Sequence, residues 1–382
     1  MSHIHIQSPR EAEGLRAELA STRRLALDCE AAGFHRYSDK LCLLQLSTER
    51  GTWVIDPLAF DASDLLREPL ERPDVTVVMH GADFDLRLLR RDLGTRLEGL
   101  FDTQIAAQLL GEEGLGLSAL LESRLGVRLS KKYQRADWAE RPLTDAMLEY
   151  AADDTRYLLR LADIMRDELV TTGRAAWAAE ECRALEAAAD VFGEPEEPED
   201  PVVRVRGARH LSPRQVTALR EALEWRDEVA RSRDRAPFRV VSEGPLIEAV
   251  AAAPRDVAEL TSIKGFPSRV AHEDGPELVR RLQRVAGLKD GELRPYPKPE
   301  RRGPGRPTPE MDALAERLKE VRNRRADEVG LPRGTLLPNA VLLDVARAAP
   351  ADLEGLASVD GMRPWRVELL GKDFLAVIRG AR

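Results

Sequence analysis

The chain has 382 residues, of which 43% are hydrophobic and 32% charged, and a formal net charge of -8 at pH 7. This length predicts two or three domains with sizeable cores. The sequence has neither an apolar run of about 18 residues nor a signal-peptide pattern. We therefore expect a cytoplasmic protein rather than a membrane protein. Cys29, Cys42 and Cys182 form neither a disulfide framework nor a zinc-spaced cluster, which fits a reducing compartment. Nothing in the sequence indicates an obligate protein partner.

The net charge is divided unevenly along the chain. Residues 1–200 contain 24 Lys+Arg and 39 Asp+Glu, whereas residues 201–382 contain 34 and 27. The basic charge of the C-terminal part favours the attraction of phosphate groups there rather than in the acidic N-terminal part. Charge runs are commonly solvated surface, so this asymmetry is supporting information only.

The first predicted buried strand, near residues 23–29, leads into two carboxylates, Asp28 and Glu30. Side chains two residues apart in a strand project from the same face, so these acids lie side by side. Two ionised carboxylates on one face repel each other and lose hydration, for which a bound cation compensates. The alternative is a strand end whose acids simply reach water, and the short D-x-E pattern does not decide between them.

Further strands are predicted near residues 41–47, 52–56 and 75–79. The first three strands are joined by connections too short for crossover helices, so they should form an antiparallel meander, and a helix near 62–70 allows a parallel return. The strand near 75–79 is followed by a turn and a helix that begins close to Asp85. This places Asp85 at the carboxyl end of a strand, where open α/β sheets bind ligands. Favourable placement of an acid in a first helical turn is the alternative.

Two later segments are predicted helices with capping residues. Asp102 precedes a helical run and is interpreted as its N-cap, and Thr144 is the N-cap of a helix that continues to about Val170. Asp154 falls in the apolar stripe of the second helix, one turn after Tyr150, so both side chains should point toward the protein interior. An acid within an apolar stripe is unusual, which makes Asp154 a candidate functional residue.

Two proline-rich segments predict the domain boundaries. Residues 193–207 form an acidic linker and residues 291–309 a basic one, both expected to be extended and to tether the next domain near the N-terminal one. The alternative is that the later segments pack on the N-terminal domain and are needed for its stability. The two linkers separate residues 1–192, 208–290 and 310–382. The last two segments repeat each other at a constant offset of 96 residues, with matches that include Arg226 and Arg322, Leu246 and Leu342, and Gly265 and Gly361.

The ordered set of acids resembles the three motifs of the DEDDy family of 3'-5' exonucleases, which have a ribonuclease-H-like fold. The set consists of Asp28, Glu30, Asp85 and Asp154 with Tyr150. The segments 39–46, 79–81, 101–103 and 130–143 are similar to the ribonuclease D family. Each repeat contains a Leu-x-x-(Ile/Val)-x-Gly turn similar to that of the HRDC domain, the helicase-and-RNase-D C-terminal module. The expected fold class is therefore an α/β ribonuclease-H-like exonuclease domain, a mixed sheet with helices, followed by two all-α HRDC domains, the second divergent.

The resemblance implies that the four acids hold two divalent cations, Mg2+ or Mn2+, and that Tyr150 orients the attacking water. It implies release of 5'-mononucleotides from RNA with a free 3' end, with tRNA precursors as the expected substrates. Candidate RNA-binding residues are His80 and Phe84 near the acids, and in the first repeat Arg226, Arg231, Arg233 and Phe238, with Arg235 and Arg239 beside them. The glycine turns either present N-H groups to a phosphate or merely join packed helices.

Two alternative functions remain open from the sequence. A 3'-5' DNA exonuclease would use the same acids, because none of them reads a 2'-hydroxyl. A non-catalytic nucleic-acid-binding protein could rely on the repeats alone, although the complete acid set argues against it.

Overall fold

A computed structural model of the protein describes residues 3–190, 200–297 and 305–381. Within these ranges one mixed sheet has six strands in the order β1-β4-β3-β2-β5-β6. The strands are β1 (His3–Ile6), β2 (Arg24–Ala31), β3 (Leu41–Ser47), β4 (Thr52–Ile55), β5 (Thr76–Met79) and β6 (Leu100–Asp102). The predicted fold class, a mixed α/β sheet followed by helical domains, is confirmed.

The helices that accompany the sheet cover both of its faces. They are α1 (Glu13–Ser21), α2 (Ser63–Leu70), α3 (Asp83–Leu93), α4 (Thr103–Leu110), α5 (Leu117–Leu125), α6 (Asp145–Arg156), α7 (Leu158–Thr171) and α8 (Ala175–Asp190). One apolar cluster fills the side of α1, α2 and α3, and others fill the side of α4, α6 and α7. Among the described residues, no helix combines the length and the apolarity that crossing a membrane requires.

The central strands pair as an antiparallel meander, as predicted from the sequence. β2 is antiparallel to β3 and β3 to β4, whereas β5 returns parallel to β2. Asp28 lies opposite Gln45 in the β2–β3 register, so both side chains project toward α6. Leu27 and Cys29 project to the other side, into the cluster of α1 and α3. The strand alternation therefore places the acids on the α6 face.

Two outer strands and one helix break differ from the sequence prediction. The edge strands β1 and β6, four and three residues long, were not predicted because so few residues carry little periodic signal. The single helix expected from Thr144 to Val170 was wrong, since it divides at Tyr157 into α6 and α7. A straight helix of that length would run about 39 Å. The break lets α6 pack on β3 and β4 while α7 packs on α4 and β5 of the twisted sheet.

The repeat predicted at an offset of 96 residues is reproduced in the helices. The first copy contains α9 (Pro213–Ser232), α10 (Pro237–Val240), α11 (Glu243–Ala252), α12 (Val257–Ser262), α13 (Ser268–Glu273) and α14 (Gly275–Ala286). The second contains α15 (Pro309–Val329), α16 (Arg333–Leu336), α17 (Asn339–Ala348), α18 (Leu353–Ala357) and α19 (Pro364–Arg379). Ala253 and Ala349 both have positive φ at corresponding helix ends. α13 and α14 correspond to the single helix α19.

The glycine turns of the repeats are close-packed helix connections. Gly265 and Gly361 have φ of 80° and 81°, a conformation that favours glycine. A Cβ atom on Gly361 would lie 2.7 Å from the side chain of Val341, and one on Gly265 would lie 3.2 Å from Pro245. These contacts favour the interpretation as turns between packed helices over a phosphate-binding loop.

The second copy packs directly on the exonuclease part. Its core residues form one continuous apolar cluster with residues of α4, α5 and α7. The Trp365 ring stacks on Trp177 with 4.6 Å between centroids, and its indole N-H donates to Glu181 at 2.8 Å. The expectation of a tethered module was therefore wrong for this copy. Residues 193–199 of the acidic linker and 298–304 of the basic one lie outside the described residues, so the predicted extended linkers stay a prediction there.

Candidate active site

Three carboxylates converge where β2 faces α6. Asp28 and Glu30 come from alternate positions of β2, and Asp154 comes from the third turn of α6. One carboxylate oxygen from each lies within 4.8 Å of the others. The hydroxyl of Thr144 caps α6 by accepting from the Met147 N-H, as predicted, and this fixes where the helix begins. The two strand acids and the helix acid therefore lie together at one point.

Asp85 approaches the same point from the end of β5. It lies in the first turn of α3, as predicted, and it is 8% exposed. It is not part of the set that converges within 4.8 Å, but its charge acts on Glu30 and the charge of Asp28 acts on it. The arrangement is therefore three close carboxylates with a fourth beside Asp28.

Burial and mutual repulsion raise the pKa values of these four acids. Burial raises the pKa of Asp28 to about 7. Burial, with the charge of Asp28, raises the pKa of Asp154 to about 8. The pKa values of Glu30 and Asp85 are raised well above their usual range, mainly by burial and then by neighbouring acids. In the described part of the chain, no Lys or Arg forms an ion pair with any of the four.

These properties fit a site for a hard divalent cation. Its donors are carboxylate oxygens, which Mg2+ and Mn2+ prefer to nitrogen or sulfur. Raised pKa values without a cationic partner mean that the charged carboxylates lack compensation from the protein. The neighbouring Gln45 is fully buried, and within the described ranges neither its amide nitrogen nor its amide oxygen has a hydrogen-bond partner. The described residues therefore do not satisfy all the hydrogen-bonding groups of the polar face beside Asp28.

Tyr150 lies one turn before Asp154 on α6. Its ring contacts Tyr133 edge-on at 5.9 Å and stacks on Trp138 at 6.1 Å between centroids. Arg141 holds the loop of Trp138 on the sheet by donating two hydrogen bonds to the buried Asp56, at 2.7 and 2.9 Å. Burial and the charges of the nearby acids raise the pKa of Tyr150 above its ordinary value. The hydroxyl therefore stays protonated and can orient a water but is a poor base.

Asp102 has a role that the sequence did not indicate. It caps α4, as predicted, by accepting from the N-H groups of Gln104 and Ile105 at 2.7 and 3.3 Å. It also accepts from the N-H groups of Gly81 and Ala82 at 3.0 and 2.8 Å. These two residues form the turn that leads to Asp85. The cap is thus also the anchor of the turn, which only the pairing of β5 with β6 reveals.

The candidate RNA-binding residues occupy different environments. Phe84 is 47% exposed and lines a groove together with Glu30, which suits contact with a substrate. His80 is half-buried and its Nδ1 lies 3.0 Å from the Thr103 hydroxyl. This contact joins the turn after β5 to the first turn of α4.

The predicted surface of the first repeat is divided between internal contacts and open side chains. Arg226 is half-buried and donates to the Val241 carbonyl, and Arg233 pairs with Glu273 and Asp274. Arg231 donates to the hydroxyl of Tyr37 from the exonuclease part. These three arginines therefore form contacts within the protein. Phe238, in contrast, is 49% exposed and open to a ligand.

Known proteins share this architecture. A family model described as 3'-5' exonuclease matches residues 4–170, and one described as HRDC domain matches residues 215–282 and 311–378. The chain is similar to ribonuclease D of Pseudomonas paraeruginosa, with 30% identity over 94% of this chain and 92% of the relative. The solved structure of Escherichia coli RNase D is 25% identical, with a TM-score of 0.69 and coverage of 100% and 99%. A protein structure from Bifidobacterium adolescentis is 26% identical, with a TM-score of 0.79 and coverage of 99% and 97%.

Proposed function

The chain belongs to the ribonuclease D family of 3'-5' exonucleases, and we propose that it hydrolyses RNA from the 3' end and releases 5'-mononucleotides. The observation that carries this proposal is the cluster of Asp28, Glu30 and Asp154 within 4.8 Å beside the groove of Phe84. Acids without a Lys or Arg partner beside an open groove suit a reaction at a phosphodiester that enters from solvent.

The family depends on divalent metal ions, and we propose that the acids of this chain hold two of them, Mg2+ or Mn2+. Asp28, Glu30 and Asp154 would hold one, and Asp85 with Asp28 would face the second. Bound cations supply neutralisation of the phosphate charge and a water of lowered pKa. Because the carboxylates must be ionised to bind a cation, their raised pKa values couple binding to the release of protons.

Tyr150 and Phe84 have separate parts in the proposed reaction. The protonated hydroxyl of Tyr150 holds the attacking water in line with the scissile phosphorus by a hydrogen bond. The exposed ring of Phe84, beside Glu30, packs against the terminal nucleotide and fixes its position in the groove. Neither step requires Tyr150 to give up its proton, which agrees with its raised pKa.

We also propose structured RNAs with single-stranded 3' ends, such as tRNA precursors, as the substrates. The solved Escherichia coli protein is described as an exoribonuclease involved in structured RNA processing, and its structure aligns with the whole of this chain. We propose that the acid site at the end of the groove accepts a single strand, so that a stable stem would stop degradation at its base.

The test is degradation of matched RNA and DNA oligonucleotides that carry a 5' label, with Mg2+, with Mn2+ and with EDTA. Hydrolysis from the 3' end gives labelled products that become shorter by one nucleotide at a time. EDTA should abolish this degradation. Asp28→Asn and Asp154→Asn should each lower turnover by about 1000-fold or more. Asp145→Asn, an exposed acid of the same helix, is the matched control and should retain activity. Preferential cleavage of the DNA, or activity in EDTA, would contradict the proposal.

A further inference from the structure

A groove runs from the acid cluster to the border with the first repeat. It is a cavity of about 500 Å³ whose lining includes Glu30, Gly33, Phe34, Tyr37 and Phe84. Its volume is within the range of small-ligand sites. Glu30 belongs to the acid cluster at one end, whereas Phe34 and Tyr37 belong to the loop that contacts the first repeat. The groove therefore connects the site of hydrolysis with a second domain.

An aromatic pair spans the two domains at the far end of this groove. Phe34 is 44% exposed and Phe238 is 49% exposed, although their ring centroids are only 5.6 Å apart. The guanidinium carbon of Arg239 lies 4.7 Å from the Phe34 centroid and 5.8 Å from that of Phe238. Arg135 from the exonuclease part lies 5.8 Å from the Phe34 centroid. Large apolar rings open to solvent and flanked by two cations offer both stacking surface and attraction to phosphate.

Other contacts join the domains at this border, so the open rings are not required to explain it. The Ala236 N-H donates to the His35 carbonyl at 3.1 Å. The Tyr37 hydroxyl donates to Asp227 at 3.0 Å, and its backbone N-H donates to Asp234 at 3.3 Å. These polar contacts place Phe238 beside Phe34 while both residues stay nearly half exposed.

We propose that Phe34, Phe238, Arg135 and Arg239 form a subsite that stacks unpaired bases upstream of the 3'-terminal nucleotide. The inference rests on the proposed function, because it gives the strand that enters the acid site a continuing path. Cationic grooves with aromatic side chains bind single strands in this way, with sequence-tolerant stacking on the rings. An unpaired nucleic-acid strand is favoured over a protein partner because the groove is continuous with the acid cluster and because Arg135 and Arg239 lie over the Phe34 ring at its far end. The subsite is completed only when the first repeat is docked.

The test uses 2-aminopurine, a fluorescent base that is quenched when it stacks. Single-stranded RNA oligonucleotides carry it at one position each, from the second to the fifth nucleotide from the 3' end. The full-length protein is titrated in EDTA, so that binding is measured without hydrolysis. The wild-type protein should quench at least one position, and Phe34→Ala and Phe238→Ala should lose that quenching and weaken binding about 5- to 100-fold. Phe238→Leu keeps an apolar side chain and should lose the quenching as well.

Two control variants separate stacking from domain docking. Val170→Ala changes an exposed apolar residue of α7 and should leave both quenching and activity unchanged. Asp227→Asn weakens the contact with Tyr37 without touching the rings and should retain most of the quenching. Absence of quenching at every position, retention of it in Phe238→Leu, or equal loss in Asp227→Asn would overturn the proposal. Because the assay contains no metal, quenching without any degradation in the earlier test would reject the proposed enzyme activity and keep the subsite.

Discussion

The carboxylate of Asp102 accepts a hydrogen bond of 2.8 Å from the backbone N-H of Ala82, at the turn that precedes Asp85. Asp102 is 1% exposed and accepts from three further N-H groups in the same region. A residue that caps one helix therefore fixes the start of another. The acid site depends on this link, because the turn decides where α3 begins and hence where Asp85 points.

We expect Asp102→Asn to lower turnover about 10- to 100-fold through displacement of Asp85. The amide nitrogen introduced by Asn would face N-H donors, and a buried group left without its partner costs about 1–3 kcal/mol. Asp102 is a positioning residue, so raising the metal concentration should recover part of the loss. Asp256→Asn, the same substitution at an N-cap of the first repeat, is the control. Equal kinetics of both variants at a temperature where each is folded would contradict this role.

The raised pKa values predict how the stability of the metal-free protein depends on pH. Asp28 and Asp154 have folded pKa values of about 7 and 8, above the unfolded value of about 3.9. Their contribution is fully present below about pH 4 and is lost as pH rises through the folded values. The free energy of unfolding in EDTA should therefore fall between about pH 4 and 8, by up to about 1.4 kcal/mol per pH unit for each group.

Thermal denaturation of the wild-type protein and of Asp154→Asn across this range measures the effect. The variant should show a smaller decrease in Tm from acidic to neutral pH. Added Mg2+ or Mn2+ binds the ionised carboxylates, so its stabilisation of the wild-type protein should increase with pH. Identical pH slopes for the two proteins, or stabilisation by the cation that is independent of pH, would show that these acids do not titrate as the structure implies.

Tyr150→Phe tests the hydroxyl without removing the ring. Packing on Trp138 and Tyr133 should be retained, so the free energy of unfolding should change little. Turnover at saturating substrate should fall about 10- to 1000-fold, the range for loss of one positioned catalytic group. Tyr157→Phe, at the junction of α6 and α7, is the matched control. Unchanged turnover in Tyr150→Phe would leave Tyr150 as a packing residue.

The acid site was predictable because each acid stands out against a periodic background. The period of two in β2 places Asp28 and Glu30 on one face, and the helical period places Asp154 beside Tyr150. The role of Asp102 was not predictable, because its partners at residues 81 and 82 are reached only through the β5–β6 pairing. Short edge strands of three or four residues carry too few side chains to show a period.

The docking of the two repeats was also beyond the sequence. Basic charge and proline-rich linkers favoured tethered RNA-binding modules over repeats that pack on the exonuclease part, but both copies contact it. The contacts join residues about 190 positions apart, such as Tyr37 with Asp227 and Glu181 with Trp365. No local pattern encodes such pairs. In the sequence, Trp177 cannot be distinguished from an apolar residue that packs within its own domain, although it stacks on Trp365 of the second repeat.

Trp365→Ala tests whether the second repeat stabilises the exonuclease part. Trp365 is 2% exposed, stacks on Trp177 and donates to Glu181, so its loss leaves a cavity and removes one hydrogen bond from a carboxylate that stays paired with Arg366. The free energy of unfolding should fall by about 3–5 kcal/mol, the usual cost of truncating a buried aromatic residue. Where the variant is folded, losses of activity on a dinucleotide and on a long RNA should be equal, because this copy supports the fold rather than extending the RNA path. Leu353→Ala, an exposed apolar residue of the same copy, is the control. A selective loss on the long RNA would instead assign the second repeat to substrate binding.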